Sequence, residues 1–217
     1  WLFIPYDGSY IYRNIKMENT TGLTWADVNL DGMADMLYWD NSDGIYRPYF
    51  KYQQKNGNFL TQPVPIVTDE EELKSLEYSQ SGNGAFTIRG NAFGGFSNPD
   101  KNYYNKSSMT VVDLNLDGYP DFIDEKGNSL ISLGNGKYYL ANFAGKVETS
   151  DVNGDGLTDL IIYSNGELTL KLNTGKGFTD TSLLKNNAVK GVYVLDCDGD
   201  GLLDILVTIP SEENSFI

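Results

Sequence analysis

The sequence predicts an all-β fold assembled from a repeated unit of short antiparallel strands, on three observations. A nine-residue acidic segment occurs four times, at 27–35, 113–121, 151–159 and 196–204. Each copy is followed by a short run rich in β-branched and aromatic residues, the composition of a strand. Turn signals built on Gly and Asn then recur at a regular distance behind the copies.

The acidic segments read Asp-Val-Asn-Leu-Asp-Gly-Met-Ala-Asp, Asp-Leu-Asn-Leu-Asp-Gly-Tyr-Pro-Asp, Asp-Val-Asn-Gly-Asp-Gly-Leu-Thr-Asp and Asp-Cys-Asp-Gly-Asp-Gly-Leu-Leu-Asp. Of the 20 aspartates in the chain, 13 lie in these segments, so the acidity is organised rather than diffuse. A hard cation accounts for that organisation. Ca²⁺ takes roughly six to eight oxygens, and alternate residues of a tight loop can aim several at one point. The Gly at position 6 permits the sharp turn. Without a cation, carboxylates packed so closely would repel one another. An Asx-rich surface turn would account for one copy but not for four in step. The expected cofactor is therefore Ca²⁺, about four ions. The predicted side-chain ligands are Asp27, Asn29, Asp31 and Asp35; Asp113, Asn115, Asp117 and Asp121; Asp151, Asn153, Asp155 and Asp159; and Asp196, Asp198, Asp200 and Asp204. The carbonyls of Met33, Tyr119, Leu157 and Leu202, at position 7, complete the sets.

An EF-hand is excluded. That motif needs a bidentate Glu at position 12 and flanking helices. Position 12 is Tyr38, Asp124, Ile162 and Val207. The flanks are strand-like: Met36-Leu37-Tyr38-Trp39, Phe122-Ile123, Leu160-Ile161-Ile162-Tyr163 and Ile205 to Ile209 follow the loops, and Val111-Val112 and Val192 to Leu195 precede two of them. The unit is strand, cation loop, strand.

Hairpin turns come next, at Asp43-Gly44, Gly127-Asn128 and Asn165-Gly166, then a third strand and a further turn at 56–59, 135–138 and 175–178. Loop starts are separated by 38, 45 and, between the first two, 86 residues, the last being two periods of about 43. A period near 40–45 with four short strands per unit predicts β-propeller blades, which must stack to bury their faces. The expected architecture is one domain over 1–217, a propeller or an arc of one with about five blade units. These run over 1–17 (partial), 18–62, 63–108 (degenerate, without a loop), 109–146, 147–190 and 191–217 (partial). With its four loops and its Asn-Gly and Gly-Phe turns, the chain resembles the FG-GAP/VCBS repeats, the calcium-binding blades of integrin α-subunit propellers and of many bacterial secreted proteins. The departure is 63–108, where only Phe93-Gly94-Gly95-Phe96 matches the family's character.

Residues Leu2 to Asn14 align without gaps on Leu130 to Asn142, which run from one strand of a blade through its Asn-Gly turn. The chain thus opens and closes within blades. Closing a ring of five would remove exposed edges, whereas the family resemblance implies seven blades and an arc of a longer propeller; the arc is the expectation. Neighbouring domains are expected with it. There is no initiator Met and no signal-peptide pattern, as in a mature product or a part of one.

The formal net charge is −14, from 16 basic and 30 acidic residues, which excludes nucleic acid as a natural partner. Four Ca²⁺ would bring it to about −6, an ordinary surface. No run approaches a membrane span. Loops without the terminal Glu are weak to moderate binders that fill where calcium is near millimolar, so the expected location is extracellular or at the cell surface. The sequons at Asn19 and Asn105 add little. The lone Cys197 is expected to be buried and inert. Residues 68–78 form either a capped short helix or an acidic loop, and Asp124 is expected to be a turn residue rather than a ligand.

Catalysis has little support. The chain has no His, so His-based triads and general bases are absent. Calcium-bound carboxylates are held ionised and cannot act as general acids. The 28 aromatics point to recognition of a protein or carbohydrate ligand, with Trp39, Tyr46, Tyr49, Tyr103 and Tyr104 as candidate exposed contacts. The expected function is a non-enzymatic, calcium-stabilised recognition or adhesion scaffold. The alternative is a structural or accessory module of a larger secreted toxin or polysaccharide-degrading enzyme.

Overall fold

The computed structural model describes residues 2–3, 11–12, 20–40, 42, 47–67, 109–143, 145–185 and 189–209. Among these the fold is all-β, in small antiparallel sheets. The first full sheet has the order β3 (Thr20–Ala26), β4 (Asp35–Asp40), β5 (Arg47–Gln53), β6 (Phe59–Pro63). The second comprises β7 (Thr110–Val112), β8 (Asp121–Ile123), β9 (Asn128–Ser132) and β10 (Tyr138–Asn142). The third comprises β11 (Lys146–Ser150), β12 (Asp159–Ser164), β13 (Glu167–Asn173) and β14 (Phe178–Leu184). Two hairpins flank them, β1 (Leu2–Phe3) with β2 (Ile11–Tyr12), and β15 (Gly191–Leu195) with β16 (Asp204–Thr208). Every acidic segment joins the first strand of its sheet to the second.

The turns follow from residue type. Asn165 and Gly166 both take positive φ, 51° and 80°, which matches the twist of the β12–β13 hairpin. The gapless alignment of the first residues on 130–142 also survives as register. Leu2 pairs Tyr12 and Phe3 pairs Ile11, as Leu130 pairs Leu140 and Ile131 pairs Tyr139.

The three full sheets stack face to face in chain order. Phe122, Leu130, Tyr138 and Leu140 of the second sheet meet Leu37, Trp39 and Phe50 of the first. Phe50 lies 6.2 Å from Phe122 and 5.4 Å from Tyr138, ring centre to ring centre. From its other face, Ile123, Ile131, Tyr139 and Ala141 meet Val147, Leu160 and Ile162 of the third. Each such fully buried side chain contributes about 1.5–3 kcal/mol. The outer strand β14 instead carries Thr179, Asp180, Thr181 and Ser182 on an exposed edge with a register shift, features that discourage pairing with another chain.

The degenerate blade expected over 63–108 lies, beyond residue 67, outside the described residues. The first and second sheets are in direct contact through Phe50, Phe122 and Tyr138. Thr24 and Met109 also hydrogen-bond across the same boundary, the Met109 N–H donating to Oγ1 at 2.8 Å. After β6 the chain crosses to the second sheet, where Val67 N–H donates to the Tyr138 carbonyl and Tyr138 N–H to that of Pro65. The remainder of that stretch, with the 68–78 segment, lies outside the described residues, as do both sequon asparagines, Asp43-Gly44 and Phe93 to Phe96.

One glycine is set by close approach. A Cβ on Gly145 would lie 2.6 Å from the Tyr163 carbonyl oxygen and 2.9 Å from Ile162 Cγ2. Gly145→Ala should force β11 away from β12 and cost about 1–3 kcal/mol. A urea midpoint unchanged from wild type would show that the contact relaxes freely.

Candidate metal centres

Each acidic loop is organised by its own backbone. In the first, the position-1 carboxylate of Asp27 accepts from the N–H groups of Asp31 (3.1 Å) and Gly32 (2.8 Å). Asn29 Oδ1 accepts from Asp31 N–H, and Asp31 Oδ1 from Met33 N–H. The second and third loops repeat this set on Asp113, Asn115 and Asp117, and on Asp151, Asn153 and Asp155. In the fourth, Asp196 accepts from Gly199 and Gly201, Asp198 from Asp200, and Asp200 from Leu202. Tight winding requires left-handed backbone at two positions. Position 6 is always Gly, but position 4 also has positive φ: Leu30 (58°), Leu116 (59°), Gly154 (73°) and Gly199 (80°). Glycine at 154 and 199 was the signal for this, and the two leucines, for which that conformation is strained, obscured it.

Position 9 behaves differently from positions 1, 3 and 5. Asp35, Asp121 and Asp159 are fully buried and open the second strand of their sheets. One oxygen accepts from the position-2 N–H, of Val28, Leu114 or Val152. The other accepts from the last residue of the third strand, Gln53, Ser132 or Asn173, at 2.6–2.8 Å. A single carboxylate, itself in the second strand, therefore ties the loop to the third strand as well. Asp204 makes the first of these bonds, from Cys197 N–H at 2.9 Å. From the nine-residue pattern alone, position 9 is a ligand and nothing more.

Electrostatics follow from burial. Desolvation pushes the Asp121 carboxyl well above its ordinary value, and Asp35 and Asp117 upward, against backbone and side-chain hydrogen bonds that lower them. Neighbouring loop aspartates add to the upward push. The Tyr138 hydroxyl, buried between the first two sheets and without a hydrogen-bond partner, is raised by burial and by Asp121.

The donor set fits a hard cation. It consists of oxygens alone, and each accepting oxygen keeps a lone pair for a metal while backbone N–H groups fix its direction. In the fourth loop one oxygen from each of Asp196, Asp198 and Asp204 lies within 4.8 Å of the others. The first three loops have neutral Asn at position 3. Asn115 is buried and its amide N–H₂ donates to the Ser132 carbonyl at 2.8 Å, which leaves Oδ1 turned to the loop.

Three expectations change. Trp39 is 1% exposed and belongs to the core between the first two sheets. Tyr49 is half-buried and stacks on Tyr38 at 5.7 Å; Tyr46, Tyr103 and Tyr104 lie outside the described residues. The exposed aromatic is Tyr193, at 55%. Cys197 is exposed, whereas its counterparts Val28 and Leu114 are buried in the cores between stacked sheets and Val152 is half-buried. Asp124 serves as the turn residue expected, accepting from Lys126 and Asn128 N–H.

Residues 151–207, from the third loop through the fourth, match the model of the FG-GAP-like repeat. No curated protein matches the chain. Among solved structures, it is similar to one reported for the specific recognition of non-reducing terminal N-acetylglucosamine by an Agrocybe aegerita lectin. Identity is 15% over 89% of this chain, and the chain spans 61% of that one, with a TM-score of 0.38. At that score the likeness carries no argument about fold or ligand.

Proposed function

We propose that this chain, which carries an FG-GAP-like repeat, is an arc of a calcium-stabilised β-propeller that serves outside the cell as a non-enzymatic scaffold for recognising a protein or glycan. The observation that carries the reading is the fourfold loop. All four copies sit between the first two strands of a sheet, with carboxylates gathered by backbone N–H groups. Sheets stacked in chain order support the propeller. Positions 1, 3, 5 and 9 of each loop, with the position-7 carbonyl, would hold the ion. Calcium would neutralise the gathered carboxylates and fix the loops. Among the described residues, no helix is long and apolar enough to cross a membrane.

The test is binding of the intact protein to arrays of glycans and extracellular proteins, with calcium and with chelator. Saturable binding in calcium that disappears with chelator is expected. Cleavage of a bound glycan would overturn the non-enzymatic reading.

A further inference from the structure

The end of the sheets opposite the acidic loops holds a cleft of about 300 Å³ between the third sheet and the β15–β16 hairpin. Three lysines line it, each from a different sheet: Lys126 in the β8–β9 turn, Lys146 at the start of β11, and Lys190 just before β15. The chain has only 16 cationic residues and a net charge of −14, whereas this cleft, with three lysines against Glu125 and Glu148, carries a small positive formal charge. All three are exposed, and none forms an ion pair among the described residues. Tyr163 and Tyr193 supply aromatic surface, and Glu125 and Glu148 supply acceptors. The Tyr193 ring lies against Gly191, where an added Cβ would come within 3.0 Å of Cε2. A side chain at 191 would therefore displace that ring.

We infer that this cleft binds the end of a carboxylated saccharide, a uronate-bearing glycan. The inference rests on the recognition role proposed above and names its ligand. Lysine ammoniums pair with the sugar carboxylate as point charges. Tyrosine rings offer apolar faces to the pyranose, and the glutamates accept from its hydroxyls. A neutral sugar would leave the lysines without a partner, and a bare anion would leave the tyrosines and glutamates unused. The volume is at the small end of ligand sites, roughly 300–1,000 Å³, and suits a terminal sugar rather than a long polymer segment.

The experiment is calorimetric titration of the calcium-loaded protein with a glucuronate-terminated trisaccharide and with its methyl ester. Wild type should bind the acid at least tenfold more tightly than the ester, and the affinity should fall as salt is raised. Lys146→Ala with Lys190→Ala should weaken the acid at least tenfold, and Tyr193→Ala should weaken acid and ester alike. Lys176→Ala, in the turn at the other end of the third sheet, should bind as wild type with an unchanged melting temperature. Equal binding of acid and ester, or wild-type affinity in the double variant, overturns the inference. If arrays show binding to neutral glycans or to proteins while the trisaccharide fails, the cleft assignment falls and the recognition role stands. Failure on both defeats both.

Discussion

Asp121→Ala is expected to lower the unfolding free energy by about 2–6 kcal/mol, because it strips two buried N–H groups of their acceptor at about 1–3 kcal/mol each. The donors are Leu114 and Ser132, at 2.7 and 2.6 Å, and the carboxylate between them is fully buried. Water cannot replace it without opening the packed space under Leu114 and Ile131. Asp121→Asn should fall between, since an amide oxygen satisfies one donor while its N–H₂ faces the other. Urea unfolding should be measured both in calcium and in chelator. An effect that persists in chelator belongs to this buried tie; one that vanishes there belongs to ion ligation alone. A loss below about 1 kcal/mol under both conditions would falsify the tie.

Calcium removal should have the larger effect on the whole molecule. An ion that binds only the native state stabilises by about 2.7 kcal/mol per site at a hundredfold excess over Kd. Four such sites approach the entire stability of an ordinary domain, roughly 5–15 kcal/mol. A domain of this size loses about 2–4 °C per kcal/mol, so EDTA should lower Tm by about 20 °C or more. Calorimetry of the same sample with and without chelator reads this directly. Melting within a degree in the two conditions would dismiss calcium as a stabilising ligand.

The loops and strands were legible because their signals are local. Asp, Asn and Gly at fixed offsets specify a turn with inward oxygens, and β-branched runs on either side specify strands. The Leu2–Tyr12 register was legible for the same reason, since repeat units align residue by residue. What failed depends on how sheets meet. Met36-Leu37-Tyr38-Trp39 lacks alternation, and all four are buried. The run is covered on both faces, and that cover is supplied by other parts of the chain, so Trp39 is core where a contact was expected. Cys197 was misjudged in the opposite direction, because position 2 is buried where it joins the core between stacked sheets, as Val28 and Leu114 do, and not otherwise. The double service of the position-9 aspartate was hidden as well. Its second partner is 11 to 18 residues away, and nothing in the nine-residue pattern points to it.

The opposition of acidic loops and lysine cleft gives the molecule an electrical direction. β11 and β15 both start at the cleft and both run toward an acidic loop, and the Glu125-Lys126 turn lies at the far end of β8 from the loop at 113–121. Near a polyanionic coat such a body experiences torque before it makes any contact, and it approaches with its lysine end forward. Calcium in the loops would shrink the negative pole without touching the positive one. A calcium-poor molecule would then be the more strongly oriented but also the more strongly repelled, and a loaded one would approach more freely. Both effects fade beyond about 8 Å at physiological salt, so orientation is settled in the last moments of encounter.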